Sequence, residues 1–272
     1  MKRLKNCSKV SNLCYATGSG QLSGGQVLSV ATSEFQSKLN QQIQDIPRNV
    51  TKALEVYNRL SRSLNRYHGG MPVGFLAAIA SFESGGKMSS VGDASLGEIG
   101  IFQITSSFPP KVGLPAESRK NEETNIFLGC LEYQIMAVEM WLANTTIRLG
   151  SDDNWKLARL AFAVGPGGTR KLLASSGANS YSQLVDYIDR TGGISLGGQS
   201  AGKVWFRVRV IDVLWEVGRR VQPMSTSGAP VKLPNPPIGK YSLPSNVAAY
   251  IHSPLRGPLI ALTLASALLF LA

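Results

Sequence analysis

The chain has 272 residues, with 28 Lys and Arg against 17 Asp and Glu, a net charge of +11. An apolar share of 43% excludes wholesale disorder, and the length accommodates one large domain or two small ones with a real core. Three cysteines (Cys7, Cys14, Cys130) and two distant histidines (His68, His252) argue against a disulfide framework, a zinc site or a paired-histidine centre. No metal and no cofactor is expected.

The charge is unevenly placed. Residues 1–70 carry a net +7, residues 71–190 a net −2, and residues 191–272 a net +6. A basic chain suggests an anionic partner, but its centre is slightly acidic, which argues against a nucleic-acid binder.

Residues 1–45 read as a polar lead-in. Met1-Lys2-Arg3-Leu4-Lys5 looks like the basic start of a signal peptide, but polar residues interrupt any apolar run after it, so no secretory signal is read there. Residues 46–70 read as an amphipathic helical extension, with Val50, Leu54, Tyr57 and Leu64 on its apolar face and arginines on much of the rest. Gly69-Gly70 breaks the chain, and Pro72 opens a second helix. Phe75 to Phe82 is apolar nearly all round, which argues for burial, and Gly85-Gly86 is its stop signal. A Gly/Ser-rich loop spans residues 84–100. Helices are expected over 125–142, 155–164 and 181–188, the second closed by Gly165-Pro166-Gly167-Gly168. Residues 203–220 fit a strand or a helix by pattern, and their length favours a helix. The four tryptophans fall at core-like spacing.

Residues 221–256 form a Pro-rich linker: 8 of the 14 prolines lie between Pro223 and Pro258. Residues 257–272 carry no charge. As a helix they would span about 24 Å, a little short of a bilayer core, and they are read as a membrane anchor.

Glu83 carries the candidate chemistry. A carboxyl at the end of an apolar helix, held against apolar walls, is expected to keep its proton more tightly, as a general acid requires. Around it stand four segments. They are Ala80-Ser81-Phe82-Glu83-Ser84-Gly85-Gly86, Gly97-Glu98-Ile99-Gly100-Ile101-Phe102-Gln103-Ile104, Asn125-Ile126-Phe127-Leu128-Gly129-Cys130-Leu131-Glu132-Tyr133 and Ala161-Phe162-Ala163-Val164-Gly165-Pro166-Gly167. In this order and spacing they resemble the lytic transglycosylases of the soluble, lysozyme-like type.

The resemblance covers roughly residues 70–175. It implies a lysozyme-like two-lobed catalytic domain, placed over 71–220; with the helical N-terminal extension and the C-terminal transmembrane segment read above, the expected fold is mainly α. It implies cleavage of peptidoglycan glycan strands between N-acetylmuramic acid and N-acetylglucosamine. Glu83 would protonate the glycosidic oxygen. It would then take the proton from the C6 hydroxyl that closes a 1,6-anhydro ring. One carboxyl does both tasks, without the carboxylate pair of ordinary glycosidases. Substrate contacts are expected from Ser84, Gly100, Gln103, Tyr133 and Phe162.

The chain also departs from the family. The loop between Glu83 and Gln103 is longer, and the family's Tyr-Asn pair is Phe162-Ala163 here. The lost tyrosine hydroxyl would have oriented the catalytic Glu; Tyr133 is a candidate replacement. Glu98 and Asp93 follow Glu83. Facing the cleft, either could activate water and give a hydrolytic muramidase; as solvated loop carboxylates, neither does. A third reading is a catalytically impaired glycan-binding envelope or virion structural protein. The expected location is a membrane of the cell envelope or of a virion. Arg256 before the apolar terminus places the domain on the positive-inside face. Peptidoglycan lies on the other side, a conflict that a virus particle or transfer apparatus meeting the wall from outside would resolve.

Overall fold

A computed structural model describes residues 30–222. The start of the lead-in, Cys7 and Cys14, the linker beyond residue 222 and the expected anchor lie outside the described residues.

The described chain is mainly helical. Its helices are α1 (Val30–Gln44), α2 (Ile46–Tyr67), α3 (Val73–Ser84), the short α4 (Phe108–Lys111), α5 (Glu122–Ala143), α6 (Asp152–Val164), α7 (Pro166–Ser176), α8 (Tyr181–Thr191) and α9 (Ala201–Val221). A 3-10 turn, Ala116–Lys120, leads into α5. No extended strand occurs among the described residues; the loop after α3 carries isolated bridges, Val91 with Ile99 and Ile99 with Ile104.

The helix starts follow local chemistry. Asn121, Ser151, Ser180 and Ser200 each accept a hydrogen bond from a backbone N–H two or three positions into the helix that follows. Glu122 and Glu123 in the first turn of α5, and Asp152 and Asp153 in that of α6, complement the positive helix ends. Helix α3 stops as expected. Gly85 has φ 63°, Gly86 N–H donates to the Ala80 carbonyl at 3.0 Å, and Gly85 N–H donates to that of Ser81 at 2.9 Å.

Three expectations change. Residues 30–44 of the lead-in form a helix packed on α9, with Leu39 buried and Phe35 6.0 Å from the Phe206 ring. Residues 46–67 are no separate extension. Helix α2 packs on α3, α5 and α9, and one apolar core runs from Leu39 to Val217. Its buried stripe is Ala53, Val56, Leu60, Leu64 and Tyr67, turned around the helix from the expected one, so that Leu54 is 41% exposed. A 22-residue helix packed mainly on three others is oriented by the widest apolar surface on offer, which spacing alone does not reveal. Finally, Gly167 and Gly168 do not end α6. Only Gly165, at φ 80°, makes the turn; Pro166 opens α7, which buries Leu172 and Leu173.

Among the described residues α5 is long and apolar enough to cross a membrane, with mean hydropathy 1.3 over its best window. That window is 67% buried by its neighbours, which makes α5 the core helix of this fold.

Helices α3 and α9 cross where both carry glycine. A Cβ on Gly74 would fall 2.3 Å from the Gly218 carbonyl oxygen, and one on Gly218 2.6 Å from the Phe75 Cα. This contact sets the depth of α3 against α9. Farther along, Lys156 Nζ on α6 donates to Asp212 Oδ1 on α9 at 2.9 Å. Gly218→Ala should therefore force the two helices apart and lower the stability by about 1–3 kcal/mol. Urea denaturation would show the midpoint falling; an unchanged midpoint would mean that the crossing yields freely.

Candidate active site

Glu83 sits on the last turn of α3, beside a cleft of about 360 Å³. The cleft is lined by Phe82 and Glu83 from α3, Glu98 from the loop, and Arg159 and Phe162 from α6. Helices α1 and α9 complete it with Phe35, Lys38, Lys203, Phe206 and Arg207.

The side chain that holds Glu83 is Arg159, whose Nη2 donates to Glu83 Oε1; a buried cation thus faces the carboxyl where the sequence suggested apolar walls, because the middle of α6 packs against the end of α3. The arginine side chain is 6% exposed and the carboxylate 20%. Among the described residues, nothing hydrogen-bonds Oε2. Burial works against the Arg159 charge, but Tyr133 and Glu83 beside it outweigh that and hold the guanidinium above the ordinary arginine value. Phe162 lies one turn further along α6, with the guanidinium 5.4 Å from its ring centroid.

The four segments are joined in order by contacts, and Arg159, just before the fourth, closes them into a ring. Ser84 Oγ donates to the Ile101 carbonyl at 2.8 Å, joining the first segment to the second. Asn125 joins the second to the third. Its Oδ1 accepts from Phe102 N–H at 3.1 Å, and its Nδ2 donates to the carbonyls of Ile99 at 3.2 Å and Arg119 at 2.9 Å. The Tyr133 ring meets the Phe162 ring at 4.9 Å, joining the third to the fourth. Arg159, one turn before Phe162, returns to Glu83.

Of the expected site residues, the structure brings Glu83, Glu98 and Phe162 together in the cleft. Four others stand behind it. Ser84 bonds neither Glu83 nor the cleft; it ties α3 to the loop. Gly100, at φ 82°, leaves room for Asn125, whose Nδ2 would be 2.4 Å from a Cβ there, so a protein amide occupies the approach expected for sugar. Gln103 is 4% exposed, and its Nε2 donates to the Gly100 carbonyl at 2.6 Å and that of Ser90 at 3.3 Å. Its Oε1 is buried without a hydrogen-bond partner. Tyr133 is fully buried, its hydroxyl has no partner, and burial pushes its phenol well up. Asp93 is exposed and accepts from the Ser95 hydroxyl at 2.5 Å and the Ser95 N–H at 2.9 Å, and these bonds hold its carboxylate below the usual range. Glu98 Oε2 accepts from Asp93 N–H at 2.9 Å, which fixes it on the loop.

The chain matches no protein-family model, no curated protein and no solved structure. The site therefore stands on its own geometry.

Two residues escaped the sequence reading. Arg159 was legible as the one cation near the middle of an apolar helix, three positions before Phe162, but its direction was not. Glu132 is the other. It is half-buried on α5, and burial pushes its carboxyl up to about 8, with Lys111 opposing and Glu98 adding. Among the described residues no cluster of His, Cys, Asp and Glu could hold a metal.

Two predictions follow from these groups. Glu83→Ala leaves a buried guanidinium without its counter-charge and should cost about 3 kcal/mol, whereas the double variant Glu83→Leu with Arg159→Met should recover most of it. A double-mutant cycle by urea denaturation measures the coupling. Glu132 takes a proton more tightly folded than unfolded. Its contribution is complete below the free carboxyl value of about 4.3 and is lost as the pH rises through about 8. Melting temperatures should therefore decline across that window, and Glu132→Gln should flatten the decline.

Proposed function

We propose that the chain is a peptidoglycan lytic transglycosylase with a lysozyme-like two-lobed domain, in which Glu83 is the acid and then the base. What carries the reading is the ring of contacts around Glu83. Segments up to 80 positions apart in the chain are joined by these contacts; the first, second and fourth reach the cleft with Glu83, Glu98 and Phe162, and the third supports them from behind.

The cleft supports the chemistry in stages. Phe35, Phe82, Phe162 and Phe206 offer apolar faces to sugar rings. Glu83 is placed by Arg159, so its carboxyl needs no search for the scissile bond. It protonates the glycosidic oxygen, and the C1–O bond breaks. The carboxylate then accepts the C6 hydroxyl proton as that oxygen attacks C1 and closes the anhydro ring. The first step requires Glu83 to enter protonated, having taken a proton from solvent and let go of the guanidinium. Arg159 then steadies the carboxylate that this donation leaves, until the C6 hydroxyl proton neutralises it in the second step.

Phe162 lacks the hydroxyl that the resemblance asks for, which favoured an impaired protein. Arg159 performs the orienting task from the same helix face, and this supports an active site. Glu98 lines the same cleft as Glu83, and that observation favours a second reading, a muramidase in which Glu98 activates water. The membrane anchor over 257–272, and placement in a cell envelope or virion membrane, belong to this proposal as well.

Digestion of purified peptidoglycan decides between them. Glycan fragments with anhydro ends, lighter by one water than hydrolysed ones, are expected by mass spectrometry. Glu83→Gln should slow their release by about 10³-fold, and Glu98→Gln should leave the type of end unchanged. Reducing ends that disappear with Glu98→Gln would establish the muramidase instead. Intact glycan with wild-type protein would overturn both.

A further inference from the structure

The cleft holds more positive charge than its carboxylates balance. Lys38, Arg159, Lys203 and Arg207 line it against Glu83 and Glu98. Arg159 is committed to Glu83, and Lys38 pairs with Glu34 one turn away on α1. Lys203 and Arg207 remain. They are four residues apart on α9, so they share a helix face.

Arg207 is the unusual one. It is half-buried, and among the described residues it has no ion-pair or hydrogen-bond partner, whereas its neighbour Arg209 donates to Asp189 at 2.9 Å. A guanidinium drawn from water without a counter-charge costs stability. Burial, and after it the nearby Arg159 charge, hold Arg207 below the ordinary arginine value; the Glu83 and Glu98 carboxylates pull the other way without making up the difference. Lys203, also in the cleft lining, is exposed and within electrostatic reach of the loop residue Asp93. The aromatic Phe206 lies between the two cations in sequence and on the same wall.

An anion bound there must travel with something that fits the cleft. In wall glycan every second sugar bears a lactyl ether that ends in a carboxylate, or continues into a peptide that carries carboxylates. A neutral amino-sugar polymer has the same rings and no such charge. The planar guanidinium matches a carboxylate with two parallel hydrogen bonds.

We propose that Arg207, assisted by Lys203, is an anion subsite that binds the carboxylate borne by muramic acid or its peptide stem, and so selects wall glycan over neutral amino-sugar polymers. The proposal rests on the reading of the cleft as a glycan-cleaving site.

Calorimetry on the full chain carrying Glu83→Gln, which blocks turnover, tests it with four ligands. These are a neutral N-acetylglucosamine oligomer, strands stripped of peptide, strands with their stems, and free stem peptide. At least one charged strand should bind about tenfold more tightly than the neutral oligomer, and the preference should shrink as salt is added. Preference for stripped strands places the anion on the lactyl group; preference for stem-bearing strands alone places it on the peptide. Arg207→Gln should bring the ratio close to one, Arg207→Lys should restore part of it, and the exposed Lys203→Gln should reduce it without disturbing the fold. A ratio near one before substitution, or one that ignores Arg207, overturns the subsite even if wild-type protein cleaves glycan. If wild-type protein cleaves nothing, but free stem peptide binds and loses affinity with Arg207→Gln, the cleavage reading falls and the anion subsite stands.

Discussion

Burying Arg159 obliges the fold to bring a carboxylate to it. A guanidinium at 6% exposure cannot stay unpaired without a cost of several kcal/mol, and Glu83 is the group that answers it. That one ion pair links the end of α3 to the middle of α6. It fixes which side of α3 faces the cleft and places Phe162 beside the same carboxylate. The remaining contacts of the site can be read as the means of holding these two helices in register. The Gly74 and Gly218 crossing sets α3 against α9, and the Lys156 to Asp212 pair sets α9 against α6.

The loop between α3 and α5 is held by a different device. It has too little regular structure to satisfy its own backbone, so side chains do it. Asn125 serves two carbonyls and one N–H, Gln103 two carbonyls and Ser84 one more. Residues that resemble substrate contacts in sequence are thus the scaffold that presents Glu98 to the cleft. Gly129 belongs with them, because a Cβ there would lie 2.4 Å from the Phe102 ring. The chemistry and the packing use the same short segments, so a motif can persist for either reason.

The described parts of the two basic flanks line the cleft. In sequence they look like attachments around an acidic centre. In the structure α1 and α9 fold back over that centre and supply Lys38, Lys203 and Arg207, while the centre supplies Glu83 and Glu98. The positive charge of the chain therefore bears on what the cleft binds, as well as on where the protein is held.

Most helices were legible because their signals are local: a capping Ser or Asn, acidic first turns, a glycine stop and apolar spacing. Helix α1 was missed because its sequence is polar on most faces, and α7 because Gly167 and Gly168 outweighed Pro166 in the reading. The sequence by itself determined that Glu83 ends a buried helix before a glycine stop, since capping and hydropathy act within a few residues. Only the tertiary structure decided that Arg159 holds Glu83, that Ser84, Gly100, Gln103 and Tyr133 stand behind the cleft, and that Arg207 faces into it. Those outcomes depend on how far each helix is rotated about its axis. The rotation is set by packing against partners distant in the chain, and no local pattern contains it.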